Sequence, residues 1–339
     1  MTRSRRLVKR ARFALAATCV LAAFGALHDS SAAAATGDNL PAITAATLGF
    51  NGRYKLGCWA PIAVTIRGTT TTVHGALSVE VPDGDGVRVH YISDTIDIPA
   101  GEERDVLWYV KLGRQVDTLT IALHQSSDEA TPPATLRELP LDRALPVETR
   151  LVLNLGPAIA PPDSLKPLGL ELVELDASDQ LPGRWIGYDA VEALVLTTSH
   201  PDLITHLTDD TGQLLAVEDW LAAGGRVVIC DGSDSRQVLQ PDSPLGRLVP
   251  GTLGEPVALP RFEALETYSG SAQRIPSAIQ KTDSLKVSRL RDVQGVVEAA
   301  EGDVPMVVRA PHALGELTYV AVALDQPPIA EWAGRTALA

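Results

Sequence analysis

Hydrophobic periodicity changes character near residue 148, and that change limits the folds open to this chain. Residues 43 to about 125 alternate. In "APIAVTI" Ile62, Val64 and Ile66 stand against Ala63 and Thr65, and in "GALSVEV" Leu77, Val79 and Val81 stand against Ser78 and Glu80. "VRVHY" and "DTLTIAL" repeat the pattern with Val87, Val89 and Tyr91 and with Leu119, Ile121 and Leu123. A period of two puts one face in a core and the other in water, the pattern of antiparallel strands. From Thr149 the runs no longer alternate and are mainly apolar: "TRLVLNLG", "LGLELVEL", "AVEALVLTT" and "GRVVIC". Such strands are buried on both faces, as in a parallel sheet flanked by helices.

Two domains follow from the change. Six or seven short strands over residues 40–125 are broken by turn-forming "PDGDG", "PAGEE" and Gly113, which predicts an all-β, immunoglobulin-like sandwich. Trp59 and Trp108 are its expected core or near-core aromatics. Residues 126–147 are rich in Pro, Ser and charge, and read as a linker. Residues 148–330 then predict an α/β open sheet of flavodoxin-like type. Its one clear helix is "QLLAVEDWLAA", with Leu214, Val217, Trp220 and Leu221 on one face, Asp210 and Gln213 as a capping box, and Gly224-Gly225 at its end. "VPMVVRA" and "GELTYVAVALD" read as a hairpin closing one sheet edge. Residues 331–339 form a tail, and the Pro- and Gly-rich residues 241–285 suggest no element.

The N-terminus addresses the protein. Arg3, Arg5, Arg6, Lys9, Arg10 and Arg12 precede an apolar run from Phe13 to Leu27, followed by "SAAAAT". Basic leader, short apolar core and small residues describe a cleaved signal peptide over residues 1–35. "SRRLVK" also resembles a twin-arginine export signal. The expected location is periplasmic or extracellular. Removing six basic residues and one acid leaves a net charge of −18, against −13 for the whole chain. So acidic a protein is repelled by nucleic acid and by anionic lipid. Only Cys58 and Cys230 remain beyond the leader, too few for a disulfide framework. No later run is long enough to span a bilayer.

Candidate chemistry gathers after the third and fourth buried strands. Cys230 stands where "GRVVIC" should end, and ligands of open α/β sheets bind beyond the carboxyl ends of strands. As a nucleophile it would need an imidazole base, with His200 and His312 as the candidates. Val228 occupies the position where a nucleophile elbow wants a small residue. A buried free cysteine is more commonly a small hydrophobe. Thr198 and His200 from "TTSHPD", with Asp231 and Ser233 from "CDGSD", could line one small-molecule crevice. The acidic turns "PDGDG" and "CDGSDSR" lack the spaced oxygen set of a calcium loop, so no metal is expected. Phosphate-loop, dinucleotide, HExxH and CxxC motifs are absent, so no cofactor is implied.

Four blocks carry a resemblance: "FNGRYKLGCWAPIAVTI" (50–66), "LPGRWIGYDAVEALVLT" (181–197), "VEDWLAAGGRVVIC" (217–230) and "ALDQPPIAEWAGR" (323–335). They resemble a group of uncharacterised exported proteins of planctomycete-type bacteria, in which a β-sandwich precedes a domain similar to class I glutamine amidotransferases. The resemblance implies that relatives continue past the Trp332 block into membrane-spanning segments. The amidotransferase pattern of an elbow cysteine and a late H-x-E pair is met only in part. Cys230 lacks the leading glycine, and in "HALGE" the acid follows His312 by four residues.

These observations favour an exported, non-catalytic envelope protein that binds or scaffolds, with other envelope proteins as partners. The alternatives are a cysteine-dependent amidase or amidotransferase-like hydrolase using Cys230, and a small-ligand sensor at the crevice.

Overall fold

The computed structural model describes residues 40–125, 132–207, 212–232, 235–276 and 285–338. The expected signal peptide and the capping residue Asp210 lie outside the described residues.

The first region is sandwich-like. Strands β1 (Ala42–Leu48), β2 (Trp59–Arg67) and β6 (Glu103–Lys111) form one antiparallel sheet in the order β1-β2-β6. Strands β3 (Val73–Pro82), β4 (Arg88–Ile92), β7 (Thr118–His124) and β8 (Thr135–Pro140) form another in the order β4-β3-β7-β8, and β5 (Ile96–Ile98) also pairs with β3. The alternating residues Ile62, Val64, Ile66, Leu77, Val79, Val81, Leu119, Ile121 and Leu123 are all buried in a common core with Trp108. Trp59 is half-buried, edge-on to Tyr91 at 5.6 Å.

Strand β8 lies within the segment read as a linker. Between its prolines, "TLRELP" hides a period of two, and it pairs with β7 from Thr118↔Pro140 to Leu123↔Thr135. Flanking prolines masked a strand that needs only six residues.

The expected flavodoxin-like, amidotransferase-like α/β domain is not what forms. Strands dominate, helices are few and short, and several sheets are present. The main sheet has seven strands: β9 (Arg150–Leu155), β10 (Leu170–Leu175), β11 (Val191–Thr197), β12 (Arg226–Cys230), β15 (Val296–Glu301), β16 (Val304–His312) and β17 (Gly315–Val320). Their order is β10-β9-β11-β12-β17-β16-β15, parallel from β10 to β17 and antiparallel beyond. Strands β13 (Thr252–Leu259) and β14 (Leu285–Arg291) form a separate two-stranded sheet within and beside the stretch expected to be featureless.

All four apolar runs are strands, of which β9, β11 and β12 are buried while β10, at the sheet edge, is mostly half-buried, and most of their connections do not make helices. The β9–β10 and β11–β12 connections open with single turns, Pro162–Leu165 and Pro201–Ile204, each with proline at its first position, where no helical hydrogen bond is lost. Pro167 stops the first of them, because inside a helix proline removes a hydrogen bond and clashes with the preceding turn. Among the described residues only Gly212–Ala222, free of proline, reaches three turns, and it buries Leu214, Val217, Trp220 and Leu221 as expected. The β16–β17 hairpin also differs from expectation: it sits inside the sheet, and β15 forms the edge.

Two of the resemblance blocks join the regions. Phe50 leaves the first region and packs into the core of the second. Around it, Asn51 Nδ2 donates to Glu174 O at 3.0 Å and Arg53 pairs with Glu171 at 2.7 Å. Farther along, the Trp59 N–H donates to Asp189 Oδ2 at 2.9 Å, and the Arg184 N–H donates to Tyr109 Oη at 3.1 Å. Gly187 allows this approach, since a Cβ there would lie 2.5 Å from the Tyr109 ring. The junction is a packed, hydrogen-bonded interface.

Candidate functional site

The carboxyl ends of β9, β11, β12 and β17 come together because these strands are parallel neighbours, and Thr197 pairs with Cys230 and Cys230 with Val320. Thr198, Ser199 and His200 follow β11, and Asp231 and Gly232 follow β12. The expected crevice residues Thr198, His200 and Asp231 therefore share one edge of the sheet. Ser233 lies outside the described residues.

That edge is closed by its own hydrogen bonds. The Thr198 hydroxyl donates to Cys230 O at 2.8 Å and accepts from the Gly232 N–H at 2.9 Å. Thr198 is fully buried, so its hydroxyl serves the backbone. Gly232 is required by the same contact: a Cβ would stand 2.5 Å from Ser199 N. One strand over, Thr197 Oγ1 donates to Leu155 O, and Asn154 Nδ2 donates to Gly156 O and Pro157 O.

Two buried carboxylates flank Cys230. Asp231 accepts a 2.7 Å hydrogen bond on Oδ2 from the hydroxyl of Tyr319, itself fully buried. Burial raises the Asp231 pKa above the ordinary aspartate value, opposed by hydrogen bonds from Ser235, Tyr319 and Ser288. Asp325 is 2% exposed and receives the Ser199 hydroxyl on Oδ2 at 2.7 Å, with His200 Nε2 3.2 Å from the same oxygen. The Oδ1 atoms of Asp231 and Asp325 have no hydrogen-bond partner. The cavity beside Asp231 is small, about 50 Å³.

Cys230 itself is completely buried, and its thiol is pushed well above the ordinary range, first by burial and then by the charges of Asp325 and Asp231. A catalytic thiolate needs the opposite surroundings, electropositive and partly open. Nor does His312 supply a base. It pairs with Gly315 at the far end of β17, whereas Cys230 pairs with Val320. Five residues of strand separate those positions, roughly 16 Å at about 3.3 Å each. His200, half-exposed, is engaged with Asp325.

Sequence reasoning missed Ser199, Asp325 and Tyr319. Asp325 is 126 residues from Ser199, and only the insertion of β17 beside β12 brings its segment to this edge. No local motif marks it. Among the described residues no group of three or more His, Cys, Asp or Glu side chains is placed to hold a metal. No helix among them is long and apolar enough to cross a membrane.

Residues 41–137 match a family model described as a domain of unknown function, DUF8726. The match spans the sandwich-like region, from the start of β1 into β8. No curated protein matches the chain. Among solved structures it is similar to an alkylpurine DNA glycosylase of Pseudomonas fluorescens, AlkC, bound to DNA containing an abasic site analog. That match has 8% identity and a TM-score of 0.22, and covers 31% of each chain. A β-glucosidase from Listeria innocua in complex with glucose matches at 14% identity and a TM-score of 0.20, over 31% of this chain and 16% of that one. A Bacteroides uniformis β-glucuronidase matches at 7% identity and a TM-score of 0.20, over 58% of this chain and 34% of that one. The chain thus spans about a third or less of the length of these structures, and overlaps at such scores carry no functional argument.

Proposed function

We propose that this chain is an exported envelope protein that acts by binding or scaffolding and performs no catalysis at Cys230. The observation that carries the reading is the state of that cysteine: completely buried, between two carboxylates, with its thiol held protonated. The surrounding hydroxyls are committed to backbone and carboxylate partners, so the polar edge works as a latch for the strand ends. The basic, apolar and small-residue sequence of the leader supports export. A sandwich-like region joined to a second region through a packed interface supports a binding or scaffolding role, and other envelope proteins are the proposed partners.

The test is alkylation of the folded protein as a function of pH, with Cys58 and the unfolded chain as references. Cys230 is expected to react at least about 100-fold more slowly than in the unfolded chain, because reaction requires local opening. Cys58 is half-buried, its pKa raised first by burial and then by Asp189, so it reacts slowly but without unfolding. Fast alkylation of Cys230 with an apparent pKa below the free value of about 8.5 would overturn the reading.

A further inference from the structure

The junction of the two regions encloses a cleft of about 500 Å³. Its floor is the outer face of the sheet β1-β2-β6, where Ala63, Leu107 and Asp105 lie side by side. Its other wall is built where β10 ends, from the turn Ser178–Gln180 and from Gln213 in the first turn of the helix Gly212–Ala222. Asn51 closes the back. The cleft thus lies at a domain interface, a place where ligands bind preferentially. Its size is within the range of about 300–1,000 Å³ usual for small-molecule sites.

The chemistry of the lining is specific. Every charged or amide side chain in it is a carboxylate or an amide: Asn51, Asp105, Asp179, Gln180 and Gln213, with no Lys, Arg or His. Phosphate and carboxylate ligands, which call for guanidinium or ammonium donors, do not fit. Three of these side chains are held in place by a first hydrogen bond and present a second group. Asn51 gives its amide to Glu174 O and keeps its oxygen. Gln180 Oε1 accepts from the Asp176 N–H at 2.9 Å and keeps its amide donors. Asp105 Oδ1 accepts from the Thr65 hydroxyl at 2.6 Å and keeps Oδ2.

Fixed acceptors and donors beside apolar Leu107, Pro61 and Ala63 suit a ligand whose groups both donate and accept and whose faces are apolar. That is the description of a pyranose ring. We propose that this cleft binds a neutral oligosaccharide of two or three units, with Asp105, Asn51 and Gln180 on its hydroxyls. The proposal rests on the reading of the chain as a binding protein and gives that reading a ligand class.

Saturation-transfer NMR and calorimetric titration with maltotriose, cellotriose and triacetylchitotriose test it. At least one is expected to bind, and Asp105→Ala and Gln180→Ala are each expected to weaken binding about tenfold or more, as loss of a ligand-directed hydrogen bond does. Ala63→Trp, at an exposed strand position, fills the cleft without removing a polar group; it is expected to abolish binding while the melting temperature stays within about 2 °C, the range of neutral surface changes. No transfer to any of the three sugars overturns the assignment. So does binding that survives these substitutions, or binding of calcium in their place. Each of those results leaves slow alkylation of Cys230 intact, so failure of the saccharide site and failure of the non-catalytic reading are separable.

Discussion

Replacing Phe50 by alanine is expected to destabilise the protein by about 3–5 kcal/mol, the usual cost of truncating a buried phenylalanine. Phe50 is 4% exposed, and although it belongs to the sandwich-like region in sequence, it is a member of the other region's core. Its position is set by the turn that carries it: the Gly49 N–H donates to Pro61 O at 2.7 Å, and Phe50 and Arg53 exchange two backbone bonds at 2.9 Å. The truncation therefore leaves a cavity that the second region cannot close without moving this turn. The surrounding Asn51–Glu174 and Arg53–Glu171 contacts are partly exposed and contribute little alone. Calorimetry is expected to show a lower transition temperature and a calorimetric enthalpy exceeding the van't Hoff value, as the regions begin to melt separately. A loss below about 1 kcal/mol, with one cooperative transition retained, would show that Phe50 is not part of a shared core.

Substitutions at Asp231 are expected to separate the value of its hydrogen bonds from the cost of its charge. Asp231→Ala strands the buried Tyr319 hydroxyl without its acceptor, a loss of about 1–3 kcal/mol before any cavity term. Asp231→Asn keeps an acceptor and removes the charge. Because burial raises the folded pKa above the unfolded value, the folded state holds the proton more tightly between the two. The contribution of the group is thus fully present below the unfolded value of about 4 and is lost as pH rises toward the folded pKa. The wild type should lose stability relative to Asp231→Asn as pH rises over that window. A difference that does not change between pH 3.5 and pH 7 in denaturant titrations would contradict the raised pKa.

The buried strands were legible because their signal is local. "TRLVLNLG" and "GRVVIC" carry an unbroken apolar pattern, and β9 and β12 fall within them. What failed was the inference from buried strands to a helix-covered sheet. Between β9 and β10 Pro167 stops a single helical turn, and between β10 and β11 the described chain makes only the short turns Ser178–Gln180 and Trp185–Tyr188, so neither connection supplies a covering helix. Strand β8 was hidden in the same way, and β13 keeps Pro256 beside an irregularity of its pairing with β14. At the candidate site, Thr198, His200 and Asp231 were found together because each follows an apolar run directly. Asp325 and Tyr319 were not, since strand order is a long-range property that no short window contains. Had the place of β17 been known, Asp325 would have been expected beside Ser199.

The position of β17 also bears on how the chain reaches its final state. It is the last strand among the described residues, yet it lies between β12 and β16, near the middle of the sheet. A chain emerging N-terminus first has made β9 to β12 by residue 230, but the exposed side of β12 has no partner until residues 315–320 arrive. An open apolar edge held for so long is prone to pair with other chains. The second region should therefore complete its fold only after residues 315–320 have emerged, and slowly, because its decisive pairing joins residues about ninety positions apart.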